Sequence, residues 1–451
     1  MQEKRSSFSG GLGFVLAAAA SAVGLGNLWR FPYLAAQYGG GIFILVYLIL
    51  ILTFGFSLVL TEIAIGRKTK MSSINAFRML HKKAGFLGYM AMLVPMIILP
   101  YYCVIGGWVI KYMTIFVTGQ GQAAADSAYF GGYVSSPFAP LVTFLIFLGV
   151  TSLVVVLGVE KGVEKVSKWL MPILILISLG VSLYIFTIPN ALEGIKYYLL
   201  PDFSKFSIKT VCVAMGQLFF SLSIAMGILI SYGSYVRDDV DIAKSVNHIE
   251  IFDTCVALLA GFMIVPAVYV FSGEEGLATG GPGLMFKTLP QVFDKMPMGN
   301  VIGAAFFVLV LFAAVTSSIS VMEAIVSNLI DRFKWSRMKA VVVVIFICLV
   351  LGTASSLGNG AWSHITILGM DFLTFFDYLS NSVMMPILAL GTCILVGWIL
   401  GTKIVEDEVT KNGEKFGRVK VYRIMIRYVA PIMLIVILVF YTLAQFGEID
   451  Y

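Results

Sequence analysis

The chain is predicted to be an all-α integral membrane protein with eleven transmembrane helices. Three observations lead there. Of its 451 residues, 59% are hydrophobic and 12% charged, whereas a soluble domain carries about 25% charge. The mean hydropathy is +0.93, and eleven apolar runs each meet the roughly 20 residues a helix needs to cross the hydrocarbon. Lys and Arg alternate sides: predicted inner segments hold 24 and outer loops 5. That bias places the N-terminus in the cytoplasm and, with an odd number of spans, the C-terminus outside.

The expected spans are 11–37, 41–66, 85–118, 139–157, 166–188, 209–235, 242–271, 298–330, 338–354, 371–400 and 424–446. Several exceed one crossing, so tilt or extension into water is expected. The stretch Met1 to Ser9 is short and polar, and no cleaved leader is expected from it. The basic residues are spread along loops, which excludes a nucleic-acid footprint. The five cysteines (Cys103, Cys212, Cys255, Cys348 and Cys393) fall inside apolar runs and read as small buried hydrophobes. His81, His248 and His364 are far apart, and no pair of cysteines has zinc spacing, so a metal cluster is not expected. No phosphate-binding glycine motif is present, and no acid, base and nucleophile group as an enzyme requires.

Span one contains Gly24-Leu25-Gly26-Asn27, with Arg30-Phe31-Pro32 behind it. Two glycines and an asparagine are poor material for a helix interior. At membrane depth a broken backbone is tolerated only where protein buries it or it lines a cavity. The break therefore points to backbone groups freed to hold an ion or polar solute. Span six carries Ser221-Leu222-Ser223-Ile224-Ala225-Met226-Gly227 at matching depth. Spans one to five and six to ten make equal groups, and five is odd, so the second group enters inverted. Paired interrupted helices in two such halves point to a midplane binding site, although small residues also serve close helix packing. The expected organisation is a cytoplasmic segment (1–10), a first five-helix repeat (11–188), a second, inverted repeat (209–400), and an eleventh helix with an extracellular C-terminus (424–451).

The run from Gly13 to Pro32 closely resembles the first helix of the neurotransmitter:sodium symporter family. Gly39-Gly40-Gly41, the stretch Gly216 to Ser223, Ser234-Tyr235-Val236 and Thr316-Ser317-Ser318 resemble it too, in the same order over ten spans. The resemblance implies a LeuT-type five-plus-five inverted repeat with unwound helices one and six, in the bacterial amino-acid branch. Its eleven-span members carry hydrophobic or aromatic amino acids, and the twelfth helix of other members is absent. Family membership implies a bacterial cytoplasmic membrane, Na⁺ as the coupling ion and an amino acid as cargo. It does not set the oligomeric state.

By the same resemblance, a first Na⁺ would be held by the Ala22 carbonyl, Asn27, Ser221, Asp253 and the solute carboxylate. A second would take the carbonyls of Ala20, Val23 and Ala313 with the hydroxyls of Thr316 and Ser317. Asp253 departs from the Asn common in the family. Chloride-dependent members hold Cl⁻ with a Tyr, a Gln and two Ser; Tyr47, Gln217 and Ser221 match, but Ala257 does not. Chloride independence is therefore expected, with Asp253 supplying the negative charge. The solute carboxylate would meet the Leu25 and Gly26 amides and Tyr102. The amine would meet Ala22, Phe220, Ser223 and Ser317. Val23, Ile98, Phe220, Met226 and Val321 would line an apolar side-chain pocket, with Ser221 close by. Monoamine carriers have an acid where Gly24 stands, so the cargo is expected to bring its own carboxylate. Arg30 with Asp371 would gate the outer side, and Arg5 with Asp331, near Tyr235, the inner side. Gly162 and Pro172 match a Gly-x9-Pro hinge that lets span five unwind. A different amino acid as cargo, or a channel, are the alternatives; a channel needs a continuous pore rather than aromatic lids.

Overall fold

A computed structural model describes residues 7–278, 280–445 and 447. Among them, nine helices are long and apolar enough to cross a membrane: Gly41–Thr69, Lys82–Val117, Ala139–Val156, Val159–Phe186, Ile242–Ala278, Gly299–Phe333, Arg337–Leu357, Phe372–Ile399 and Val419–Gln445. A tenth crossing is a bent pair, Gly11–Ala22 and Gly26–Gln37, whose halves meet at 52°. The region expected as span six is two short helices, Ile208–Ser221 and Ile228–Tyr235. Neither half is long enough alone, because the chain leaves helical geometry between them. Together they cover the range expected as span six.

Burial sorts the spans into a centre and a rim. The most apolar windows of spans three and eight are 78% and 72% buried, while those of spans five and eleven are 33% and 28%. Span three runs along span eight and also touches spans four and nine. Peripheral helices present Leu153, Leu176, Leu183, Ile432 and similar side chains outward, as a surface facing lipid tails does.

Close helix contacts rest on glycine. A methyl group on Gly66 would lie 2.0 Å from the Ile230 carbonyl, and one on Gly233 would lie 2.4 Å from the Ile63 carbonyl. Span two and the second half of span six thus touch backbone to backbone, the packing that small residues permit in membranes. Gly39-Gly40-Gly41 acts similarly at the outer surface. Gly40 takes φ 57° and bridges Pro201, and Gly41 leaves no room for a side chain beside the Leu199 carbonyl.

Span two contains a wider, π-type turn at Ile51–Gly55. Such a turn releases carbonyls from the regular ladder, and Arg418, at the start of span eleven, donates to the Leu52 carbonyl at 2.8 Å. The same guanidinium meets Glu250 of span seven at 3.2 Å and lies 3.8 Å over the Phe56 ring. Span seven ends close to its expected end, at Gly273, where φ is 65° and the backbone leaves helical geometry before a short further helical stretch to Ala278.

Candidate functional site

The site is assembled where spans one and six lose their helices. Span one stops at Ala22. Val23 turns extended (φ −73°, ψ 98°), and helical geometry resumes at Leu25 with a π-type turn, Gly26–Arg30. The terminal carbonyls of the first half are left without helical partners. Hydroxyls from other spans take some of them: Ser223 and Ser317 donate to the Ser21 carbonyl at 3.2 and 3.3 Å, and Ser317 to Val23 at 3.4 Å. In span six, Ser223, Ala225 and Gly227 all have left-handed φ of 54°, 59° and 67°. An alanine there costs about 1–3 kcal/mol and persists because surroundings hold it. The holder is Glu62 of span two, whose carboxyl accepts the Ala225 N–H at 2.8 Å.

A buried carboxylate lies beside the break. Asp253 is fully buried and accepts from Asn27 Nδ2 at 2.7 Å, Ser221 Oγ at 2.7 Å and Tyr47 Oη at 2.9 Å. Among the described residues no Lys, Arg or His pairs with it. Asn27 Oδ1 accepts the Gly24 N–H at 3.1 Å, so one side chain ties the broken backbone to the acid. Gln217 donates to the Gly26 carbonyl at 3.0 Å and leaves its own Oε1 unpartnered. Three of the four groups expected around the first ion, Asn27, Ser221 and Asp253, thus meet directly; the fourth, Ala22, lines the adjoining cavity.

The second expected group is only partly drawn together. Ser317 reaches Val23, as above. Thr316 bonds back along its own helix to the Phe312 and Ala313 carbonyls at 3.0 and 3.1 Å, the usual habit of a mid-helix threonine. Ala20 is buried one turn before the break and has no side-chain donor on its carbonyl among the described residues.

Of the twelve residues expected to face a solute, ten line one cavity: Ala22, Leu25, Gly26, Ile98, Tyr102, Phe220, Ser223, Met226, Ser317 and Val321, joined by Ser21 and Gly24. Val23 and Ser221 do not line it. Ser221 turns its hydroxyl to Asp253, and the buried Val23 offers its carbonyl to Ser317. The Tyr102 hydroxyl is buried without a hydrogen-bond partner, a donor lacking an acceptor. A methyl on Gly24 would lie 2.7 Å from Ser317 Oγ, and one on Gly26 2.5 Å from the Phe220 ring. The void measures about 20 Å³, room for about one water. A larger solute enters only if the walls part.

The outer side corrects one expectation. Arg30 lies 5.8 Å over the Phe220 ring, but it forms no ion pair with Asp371. Asp371 instead caps the helix Phe372–Asp377, accepting from the Thr374 N–H at 3.1 Å and its hydroxyl at 2.6 Å, which an Asp just ahead of a helix is suited to do. Asp377 lies within electrostatic reach of Arg30 and is bonded to Tyr101 and Asn381 at 3.1 and 2.6 Å.

On the inner side, Arg5 lies outside the described residues. Asp331 accepts the Ser72 N–H at 2.7 Å. Tyr235 donates to Glu323 at 2.8 Å, and Glu323 pairs with Arg337 at 2.7 Å. Phe8 packs edge-on against Tyr232 and Tyr235. Glu164 at the start of span five accepts the Ser9 N–H at 2.9 Å, bonds the Ser9 hydroxyl and pairs with Lys168 at 2.6 Å. Gly13 leaves space for that carboxylate, which a Cβ would meet at 2.1 Å. Span five is wound throughout, with Gly162 in a π-type turn, Val159–Glu164, and Pro172 inside the following helix.

Glu62, Glu164, Glu323 and Asp377 were not anticipated. A signal existed for Glu62 and Glu323: an acid inside a span marks function by default, the argument that singles out Asp253.

A model of the sodium:neurotransmitter symporter family matches residues 5–123 and 135–451. The chain belongs to that family. It is 33% identical to an uncharacterized sodium-dependent transporter of Haemophilus influenzae, over 97% of this chain and 98% of that one. It is 32% identical to the uncharacterized sodium-dependent transporter YhdH of Bacillus subtilis, over 97% of each. Among solved structures it is similar to MhsT in complex with L-phenylalanine, with a TM-score of 0.88, 34% identity, and coverage of 97% of this chain and 99% of that one. This symporter is a multi-pass, sodium-dependent transporter rather than an enzyme, and its fold is that of the family.

Proposed function

We propose that the chain imports a hydrophobic or aromatic L-amino acid with two Na⁺ ions by alternating access, and does so without chloride. The observation that carries this reading is Asp253: a fully buried carboxylate with three neutral donors and, among the described residues, no cationic partner. A charge in such a place needs a counter-ion, and the adjacent break in span one supplies oxygens to a hard cation. One Na⁺ there would use Asn27, Ser221, Asp253, the Ala22 carbonyl and the solute carboxylate. The second would sit between the first half of span one and span eight, at Ala20, Val23, Ala313, Thr316 and Ser317, once Thr316 turns from its own helix.

The solute carboxylate would take the Leu25 and Gly26 N–H groups, at the start of a half-helix whose dipole favours an anion, and the Tyr102 hydroxyl. The amine would face the Ala22 and Phe220 carbonyls and Ser223. Ile98, Met226 and Val321 leave an apolar pocket for the side chain, and Met226 adapts to different shapes. That the similar structure holds L-phenylalanine supports an aromatic cargo. Residues 11–188 and 209–400 would be the two inverted repeats, with the N-terminus inside and the C-terminus outside. Each Na⁺ moving inward gains about 2.3 kcal/mol per 100 mV, so two concentrate solute by about three decades before any chemical gradient.

The test is scintillation proximity binding of labelled L-phenylalanine, with unlabelled Trp, Tyr, Leu, Pro and Glu as competitors. Binding that needs Na⁺, resists chloride removal and yields to the first three supports the proposal. Competition by Glu or Pro alone would assign a different cargo, and chloride-dependent binding would remove the role given to Asp253.

A further inference from the structure

The cytoplasmic ends of spans one and seven enclose a groove of about 540 Å³ that the transport reading does not use. Its walls change character along the membrane normal. Lys244, His248 and Phe252 recur every four residues on span seven, so they share one face and climb about 12 Å. Lys244 and His248 are exposed, and Phe252 is half-buried. Opposite them, Leu12 of span one is 69% exposed and Val15 is buried. The groove is thus polar at its inner rim, where Asp239, Asp241, Lys244 and His248 stand, and apolar deeper in.

The charges at the rim are not evenly spent. Asp239 pairs with Arg237 at 3.0 Å. Asp241 caps span seven, taking the Lys244 N–H at 2.9 Å. The side chains of Lys244 and His248 have neither a hydrogen bond nor an ion pair among the described residues. Two nitrogen donors one helical turn apart, above an apolar slot in a membrane protein, fit a phosphodiester whose tails lie along Leu12 and Phe252. We propose that this groove binds one anionic phospholipid of the inner leaflet, its phosphate held between Lys244 and His248. An anionic lipid is favoured over a zwitterionic one because Lys244 and His248 are left without partners among the described residues, while Asp239 is already paired with Arg237. One wall of the groove is the first half of span one, so the bound lipid also braces that half-helix against span seven.

Native mass spectrometry of the full chain in detergent tests this, with phosphatidylglycerol and phosphatidylethanolamine of matched tails supplied in parallel. The expected result is one phosphatidylglycerol retained per chain, about tenfold above phosphatidylethanolamine. The double change Lys244→Ala, His248→Ala removes that preference. Leu12→Trp, which fills the slot and leaves both bases in place, displaces the lipid as well. Unchanged melting temperatures in lipid-free detergent show that both variants are folded. Equal retention of the two lipids, or phosphatidylglycerol retention that survives both variants, overturns the proposal.

Discussion

At the scale of single residues, the acids inside the membrane carry the chemistry. Asp253 has neutral donors around it and, among the described residues, no basic neighbour in contact, so its charge must be met by a bound cation or lost to a proton. At about 4 Å and an effective dielectric near 20, a unit charge pair is worth about 4 kcal/mol. Asp253→Asn is therefore expected to weaken Na⁺ binding by at least about tenfold, and to make the remaining binding respond to chloride through Tyr47, Gln217 and Ser221. A Na⁺ titration with and without chloride checks both. Glu62 acts on backbone rather than on an ion. Glu62→Gln keeps an acceptor for the Ala225 N–H and should retain fold and binding. Glu62→Ala leaves a buried N–H unpaired beside a left-handed alanine, a loss of about 1–3 kcal/mol, visible as a lower melting temperature and weaker substrate binding. Asp253 was legible in the sequence because a charged residue in an apolar run is conspicuous. Its partners Asn27 and Ser221 came through family resemblance, since nothing local says that positions 226 and 32 residues away meet it. Arg30 and Asp371 are not paired in this structure, and the local reason is visible in the sequence. Asp371 stands three residues before Thr374 at a helix start and spends its carboxylate on the capping bonds.

At the scale of elements, the broken helices were legible and their lengths were not. Gly24 and Gly26 announce the break in span one. In span six the break is made by Ser223 and Ala225 in left-handed geometry, which propensity does not foresee, and it leaves two helices each too short to cross alone. The contact between span two and the second half of span six is equally hidden. Only the fold brings Gly66 and Gly233 against opposing carbonyls. Gly233→Val is expected to fail to assemble, with loss of monodisperse protein on size-exclusion chromatography, whereas Gly149→Val, at a site with open space around it, should be tolerated. The start of span five holds a comparable contact. Glu164 holds Ser9 at the head of span one, and Gly162 lets that end sit against the Val154 carbonyl. Glu164→Ala is expected to free the first half of span one. Hydrogen exchange should then quicken across residues 9–16 and stay unchanged in span eight; equal protection in both would leave Glu164 without that role.

At the scale of the whole molecule, a void of about 20 Å³ beneath Phe220 and Tyr102, with the inner side closed by Phe8, Tyr235 and Glu164, requires movement for any amino acid to pass. Composition, eleven apolar runs and the distribution of Lys and Arg were enough to read the membrane architecture, because lipid leaves the backbone few alternatives. The central claim is that ion and solute share one site at the breaks, each completing the other's shell. Binding linkage is reciprocal, so the claim is tested by titrating Na⁺ calorimetrically into the purified chain with and without saturating L-phenylalanine. The amino acid is expected to raise Na⁺ affinity by the same factor as Na⁺ raises amino-acid affinity. Na⁺ affinity indifferent to a bound amino acid would contradict it.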